Sequence, residues 1–94
     1  MTWAVRLTRR AKKDLASLEK KQRLLIEGWI LENLEGCENP KAVPGASHVT
    51  DTKDGWRYRV GSYRIVCRVL EDEIIIEVIR ICHRQGVYAN LPKL

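Results

Sequence analysis

Four arginines in the last half of the sequence have the spacing best suited to chemistry. Residues 56–60 and 63–70 both alternate between apolar and polar positions, as strands do, and Gly61-Ser62 between them matches a two-residue hairpin turn. Such a turn sets the pairing register, and residues directly opposite each other share a face of the sheet. The predicted hairpin therefore places four arginines on one face around Val66: Arg57, Arg59, Arg64 and Arg68.

The opposite face of this hairpin is predicted to be apolar and covered by helices. It carries Trp56, Tyr58, Val60, Tyr63, Ile65, Cys67 and Val69.

Four like charges on neighbouring positions of a sheet repel one another unless anions neutralise them. Phosphate groups supply such anions, and a guanidinium group matches phosphate oxygens with two parallel hydrogen bonds. The alternative is an exposed face whose arginines pair with carboxylates, for which Glu77 on the next strand is the obvious local candidate. We favour the phosphate interpretation.

The last strand ends in the segment Cys82-His83-Arg84-Gln85-Gly86-Val87-Tyr88. A tight turn at Glu71-Asp72 would put His83 on the arginine face, whereas one bulged residue would put Arg84 there instead. The sequence leaves both registers open. It also leaves open whether Tyr88 stacks on a base or packs on the core.

The elements that position these residues are predicted from periodicity. Residues 2–7 alternate as a strand, and Thr8 suits the N-cap of an amphipathic helix over 9–20. A second helix is predicted over 22–35. Its apolar arc is wider than contact with one sheet needs, so either all of it is core or part of it meets a partner. Residues 36–55 are predicted to be one long loop. The expected fold is a single α+β domain, residues 1–94, with an N-terminal strand and two-helix hairpin packed on one face of a mostly antiparallel four-stranded sheet (β-α-α-β-β-β).

Composition narrows the class of protein. The chain has 94 residues, a net charge of +5 and a pI near 9.4, which favours a polyanionic partner. Its three cysteines form no C-x-x-C spacing and its two histidines lack a ligand pattern, so we predict neither a disulfide scaffold nor a metal site. With no membrane span or signal-peptide pattern, we expect a cytoplasmic protein that does not bind membranes.

The segment 55–88, GWRYRVGSYRIVCRVLEDEIIIEVIRICHRQGVY, resembles the RelE branch of the RelE/ParE toxin superfamily. The likeness lies in the aromatic-Arg-x-Arg-Val-Gly-x-Tyr-Arg hairpin and the terminal His-Arg-x-x-Val-Tyr, and the order of elements before it agrees. The resemblance implies a type II toxin that cuts messenger RNA in the ribosomal A site by attack of the ribose 2′-hydroxyl, without a metal or another cofactor. It implies as partners the ribosome with its message and a cognate antitoxin, and operator DNA for the toxin-antitoxin complex.

The same resemblance assigns site residues by position. Arg57 and Arg59 on the first hairpin strand bind RNA, and we add Arg68 to them. The catalytic positions are Arg64, Arg84 and Tyr88, to which we add His83, because a guanidinium group holds its proton too tightly to act as a base whereas an imidazole exchanges its proton near neutrality. Some relatives have lysines at the first-strand positions, and their Lys-x-Leu-x-Gly-like segment before the hairpin is absent here.

Two other functions are compatible with the same sequence. The ParE branch of the superfamily shares the fold and inhibits DNA gyrase. A non-catalytic RNA-binding module would present the same basic face. Arg64 and the terminal His-Arg-x-x-Val-Tyr favour the endoribonuclease.

Overall fold

The computed structural model describes residues 2–85, and their order of elements is strand, two helices, then four strands. The first three are β1 (Ala4–Leu7), α1 (Arg9–Ala16) and α2 (Lys20–Asn33). A short 3-10 helix, Pro40–Ala42, precedes β2 (Ala46–His48). The hairpin and last strand are β3 (Gly55–Val60), β4 (Tyr63–Leu70) and β5 (Ile75–His83).

The strands form one sheet in the order β1-β5-β4-β3-β2. β1 pairs with β5 in parallel, and the other neighbouring pairs are antiparallel. The predicted α+β class is confirmed, but the sheet has five strands rather than four. The additional strand, β2, lies within the segment predicted to be a loop, because three residues, Ala46-Ser47-His48, are too short for an apolar alternation to show.

Both helices begin within two residues of their predicted starts, but only α2 also ends close to its predicted end. Thr8 caps α1, its side chain accepting a hydrogen bond from the Ala11 amide at 3.1 Å. Helix α1 ends at Ala16, four residues before the predicted end: Ser17 is its C-cap, the Leu18 amide bonds the Leu15 carbonyl three residues back at 3.2 Å, and α2 begins at Lys20. No helix within residues 2–85 is both long enough and apolar enough to cross a membrane.

The core lies between the helices and the face of the sheet predicted to be apolar. Helix α1 buries Ala11 against this face. Helix α2 buries Ile26, Ile30 and its C-cap residue Leu34. On the sheet side the hairpin contributes Tyr58, Val60, Ile65 and Cys67, and β5 contributes Ile76, Val78 and Ile81. Three leucines of α2 stay more than half exposed, Leu24, Leu25 and Leu31. Part of the wide apolar arc is therefore not core.

Tyr58 links this core to the segment before β2. Its side chain is fully buried, and its hydroxyl donates to the Pro40 carbonyl at 2.7 Å. Burial raises the pKa of the Tyr58 phenol, so it remains a donor across the physiological range. This bond fixes the 3-10 helix that leads into β2.

We expect Tyr58→Phe to lower the free energy of unfolding by about 1–3 kcal/mol, because it leaves the buried Pro40 carbonyl without a donor. Urea denaturation measures the change. Tyr63→Phe is the matched control, since the Tyr63 hydroxyl has no hydrogen-bond partner among residues 2–85. Equal effects of the two substitutions would contradict this role of Tyr58.

Candidate nucleic-acid interface

The β3–β4 hairpin has the predicted register. Val60 pairs with Tyr63, so Gly61 and Ser62 form a two-residue turn, and Gly61 has a φ of +57°, a conformation that glycine adopts without strain. Arg59 lies directly opposite Arg64, and Arg57 lies opposite Val66. The arginines therefore share the face that the helices do not cover.

Three of these arginines form a cluster near the turn, hereafter the arginine cluster, made of Arg57, Arg59 and Arg64. They line an open depression of about 330 Å³ whose other wall is Gly45, Ala46 and Ser47. None of the three lies within 4.0 Å of a carboxylate in residues 2–85. Their charges are thus available to an anion that enters the depression.

Arg64 is the most restrained member of the arginine cluster. Its Nη1 donates to the carbonyl oxygens of Gly61 at 3.0 Å and Tyr63 at 2.9 Å. A guanidinium group has five N–H donors, so Nε and Nη2 keep theirs, and neither has an acceptor within residues 2–85. The hairpin turn holds the group in place while leaving one edge for a phosphate.

Arg68 differs from the other three. At the open end of the hairpin its Nη2 lies 3.4 Å from the Asp54 carboxylate, and its charge is partly neutralised there. Glu77, the carboxylate that the sequence suggested as a partner, stands opposite Arg68 in the β4–β5 register but binds Arg6 at 2.9 Å. The assignment of Arg68 to RNA binding remains a prediction. Arg68 does not line the depression that holds the other three arginines.

The reversal between β4 and β5 is wider than the tight turn considered for Glu71-Asp72. It takes four residues, 71–74, and Ile74 adopts a φ of +56°. A bulge then interrupts the ladder, since Cys67 pairs with Val78 while Val66 pairs with Arg80, which leaves Ile79 without a partner on β4. Beyond this bulge, β5 is shifted by one residue.

The shift decides between the two registers that the sequence left open. Cys82 lies opposite Arg64, and His83 lies opposite Tyr63 on the other side of the sheet, with the two rings 5.6 Å apart in a T-shaped arrangement. Of the two alternatives the bulged register is therefore the one observed, and it places His83 on the face opposite the arginines, because the bulge reverses the alternation. Arg84 follows, its amide donating to the Ser62 carbonyl at 2.7 Å, which ties it to the hairpin turn.

Cys82 is buried beside the arginine cluster but is a poor nucleophile. Burial raises the pKa of its thiol, and the nearby Arg80 charge only partly opposes that effect. The thiolate, which is the reactive form, is thus disfavoured.

Tyr88 lies outside the described residues. Within residues 2–85, no group of three or more metal-ligating side chains comes together.

The residues that sequence reasoning missed are Gly45 and Ser47. Ser47 pairs with Arg57 across the β2–β3 ladder, which puts its exposed hydroxyl on the arginine face. Gly45 has a φ of +89°, and its carbonyl accepts the Arg59 amide at 3.1 Å. The only available signal was the Pro-Gly pair at 44–45, which predicts a turn without saying where the next residues lie.

We expect Gly45→Ala to lower the free energy of unfolding by about 1–2 kcal/mol, since the φ is strained for alanine and the added Cβ would lie close to the Arg59 carbonyl. That Cβ–oxygen distance would be 3.1 Å. Gly28→Ala is the control: it is in the interior of α2 with no atom within 4 Å of the added Cβ. We expect Gly28→Ala to raise the free energy of unfolding by about 0.5–1 kcal/mol. Thermal and urea unfolding measure both, and a neutral Gly45→Ala would contradict the close approach.

Comparison with known proteins agrees with this architecture. Residues 5–88 match the family model described as the ParE toxin of the type II toxin-antitoxin system, parDE. No curated protein shows significant similarity to the chain.

Among solved structures, a chain of the toxin-antitoxin complex RelBE2 from Mycobacterium tuberculosis is similar with a TM-score of 0.72 and 19% identity, over 89% of this chain and 100% of that one. A mutant of E. coli toxin RelE in the free state is similar with a TM-score of 0.72 and 22% identity, over 95% of this chain and 93% of that one. A chain of the archaeal RelE-RelB complex from Pyrococcus horikoshii is similar with a TM-score of 0.64 and 25% identity, over 89% of this chain and 97% of that one.

Proposed function

The chain belongs to the ParE toxin family of type II toxin-antitoxin systems, within the RelE/ParE superfamily, and we propose that it is a ribosome-dependent endoribonuclease that cuts messenger RNA in the A site. The supporting observation is the arginine cluster, in which three guanidinium groups line one open depression without a carboxylate partner in residues 2–85. A bound RNA phosphate would supply the missing negative charge.

The proposed reaction is attack of a ribose 2′-hydroxyl on the adjacent phosphate. It leaves a 2′,3′-cyclic phosphate on one fragment and a 5′-hydroxyl on the other, with no net change in redox state. The transition state resembles a phosphorane and carries additional negative charge on oxygen. Donors that are already in place stabilise this charge without reorganising, so the restrained Arg64 is assigned to this role.

The other site residues are assigned to binding and orientation. Arg57 and Arg59, which line the depression, hold the flanking phosphates, and Arg84, whose amide bonds the Ser62 carbonyl in the turn, is assigned to the same task. Tyr88 stacks on a base and keeps the attacking and leaving oxygens in line, a positioning effect. We leave His83 out of this group, since the β5 register places its ring against Tyr63.

A cognate antitoxin is proposed as the second partner. Similar structures were solved as complexes of RelE with RelB antitoxins. The exposed leucines of α2, Leu24, Leu25 and Leu31, provide an apolar surface that a protein partner could cover. Binding of the toxin-antitoxin complex to its own operator DNA is part of the same proposal.

The gyrase inhibitor remains the second candidate, because the matching family model is described as ParE. A gyrase inhibitor does not need a phosphate-binding depression with a preset guanidinium group. Loss of DNA supercoiling with intact messages would favour it over the endoribonuclease.

We expect wild-type protein to cut messenger RNA in the A site of translating ribosomes, and Arg64→Ala to lower the single-turnover rate by at least about a hundredfold. Tyr88→Ala should abolish cleavage as well. Arg9→Ala is the matched control, because it removes the same charge from an exposed position on α1 and should keep the wild-type rate. Cleavage is read by primer extension, and an active Arg64→Ala variant would contradict the assignment.

His83→Gln tests the register directly. Loss of a general base lowers a rate by about 10²- to 10⁴-fold. We expect no such loss, because the bulge places His83 on the side of the sheet away from the arginine cluster. A large fall in the single-turnover rate at saturating ribosomes would instead restore His83 to the proton-transfer step.

A further inference from the structure

β5 changes its neighbour halfway along its length. It pairs with β1 from Ala4↔Ile75 to Leu7↔Val78, and the chain then turns away into α1. From Ile79 onward, no strand in residues 2–85 lies on that side of β5. The backbone groups of this edge need other partners if they are to avoid an energetic penalty.

Two residues supply these partners: Thr8, the N-cap of α1, and Asp14 within α1. The Thr8 amide donates to the Val78 carbonyl at 3.0 Å, and its hydroxyl lies 3.4 Å from the Ile79 carbonyl. Six residues later, Oδ2 of Asp14 accepts a hydrogen bond from the amide of Ile81 at 3.0 Å. The Asp14 carboxylate therefore takes the place of a strand carbonyl.

Asp14 has two further partners. The same Oδ2 accepts Arg80 Nε at 2.8 Å, and Oδ1 accepts Arg10 Nε at 3.3 Å. Burial by itself raises the pKa of the Asp14 carboxyl, but the bonds from the Ile81 amide and from Arg80 outweigh it and hold the pKa below its usual range. The group is ionised wherever the protein is folded near neutral pH.

These contacts enclose the bulge. Ile79 is the residue without a partner on β4, and Asp14 binds the two residues that follow it, Arg80 and Ile81. Without the bulge, the register of the first half of β5 would continue, placing Ile81 and His83 on the arginine face and moving Cys82 to the other face. The bulge therefore determines which residues accompany Arg64.

We propose that Asp14 is a positioning residue for the arginine face: by binding Arg80 and the Ile81 amide together, it holds β5 in the bulged register that brings the segment 82–84 to Arg64. Its effect on cleavage rests on the function proposed above. Its effect on the register does not, so the two can fail separately.

The register is tested without RNA. We expect Asp14→Ala to speed amide exchange of Ile81 by about tenfold to a hundredfold relative to Ile76, because a hydrogen bond to a charged acceptor is lost. It should also weaken the nuclear Overhauser contact between the Tyr63 and His83 rings, which are 5.6 Å apart in the bulged register. Asp14→Asn keeps an oxygen acceptor for the Ile81 amide and should restore much of both signals.

Arg10→Ala is the matched control, since it removes only the peripheral partner of Asp14. The Arg10 side chain is 62% exposed. Both signals should stay as in the wild type. Unchanged exchange and an unchanged ring contact in Asp14→Ala would overturn the proposal.

The catalytic arm uses translating ribosomes. Asp14→Ala should lower the maximal cleavage rate by about tenfold to a hundredfold while ribosome affinity stays within about threefold, as expected for misplaced groups. Asp14→Asn should recover most of the rate. A lost ring contact with an unchanged rate would overturn the role in positioning, whereas a wild-type protein that cuts no message would count against the proposed function alone.

Discussion

The pairing register of the β3–β4 hairpin is the constraint on which the rest of the structure depends. A two-residue turn at Gly61-Ser62 allows one register, and a shift by a single residue would exchange the two faces of the sheet. In the observed register Tyr58 and Ile65 are fully buried under the helices, while Arg59 and Arg64 stand opposite each other on the open side. Burial of one face therefore imposes charge repulsion on the other.

This repulsion explains how the open face is organised. At one end of the hairpin Asp54 partly neutralises Arg68, and on the neighbouring strand Glu77 is engaged by Arg6. Near the turn no carboxylate in residues 2–85 reaches the three remaining guanidinium groups. A larger depression, of about 400 Å³, lies at the end of the hairpin away from the turn. Lysines and acidic residues both line it, so it does not concentrate charge of one sign.

Local patterns were sufficient to predict the hairpin and the apolar face, because both follow from a two-residue turn and a period of two. They were insufficient for β2, whose three residues, Ala46–His48, owe their strand conformation to pairing with β3 rather than to their own preferences. The bulge at Ile79 also could not be predicted. It depends on Asp14 and Thr8, which are more than sixty residues away in the sequence. For the same reason the sequence could not choose between His83 and Arg84. It also could not assign Asp54 rather than Glu77 to Arg68, because Glu77 is bound by Arg6 from the N-terminal strand.

The sheet order has a consequence for synthesis. β5 lies between β1 and β4, so the earliest strand finds its hydrogen-bonding neighbour only after residues 75–78 have been made. Contacts that span most of a chain form late, because closing a long loop costs entropy before any pairing compensates for it. While the protein is still being translated, Arg64 lacks the strand that stands beside it and β1 lacks any partner. A nascent molecule thus lacks the complete sheet behind its own basic face until β5 has been made.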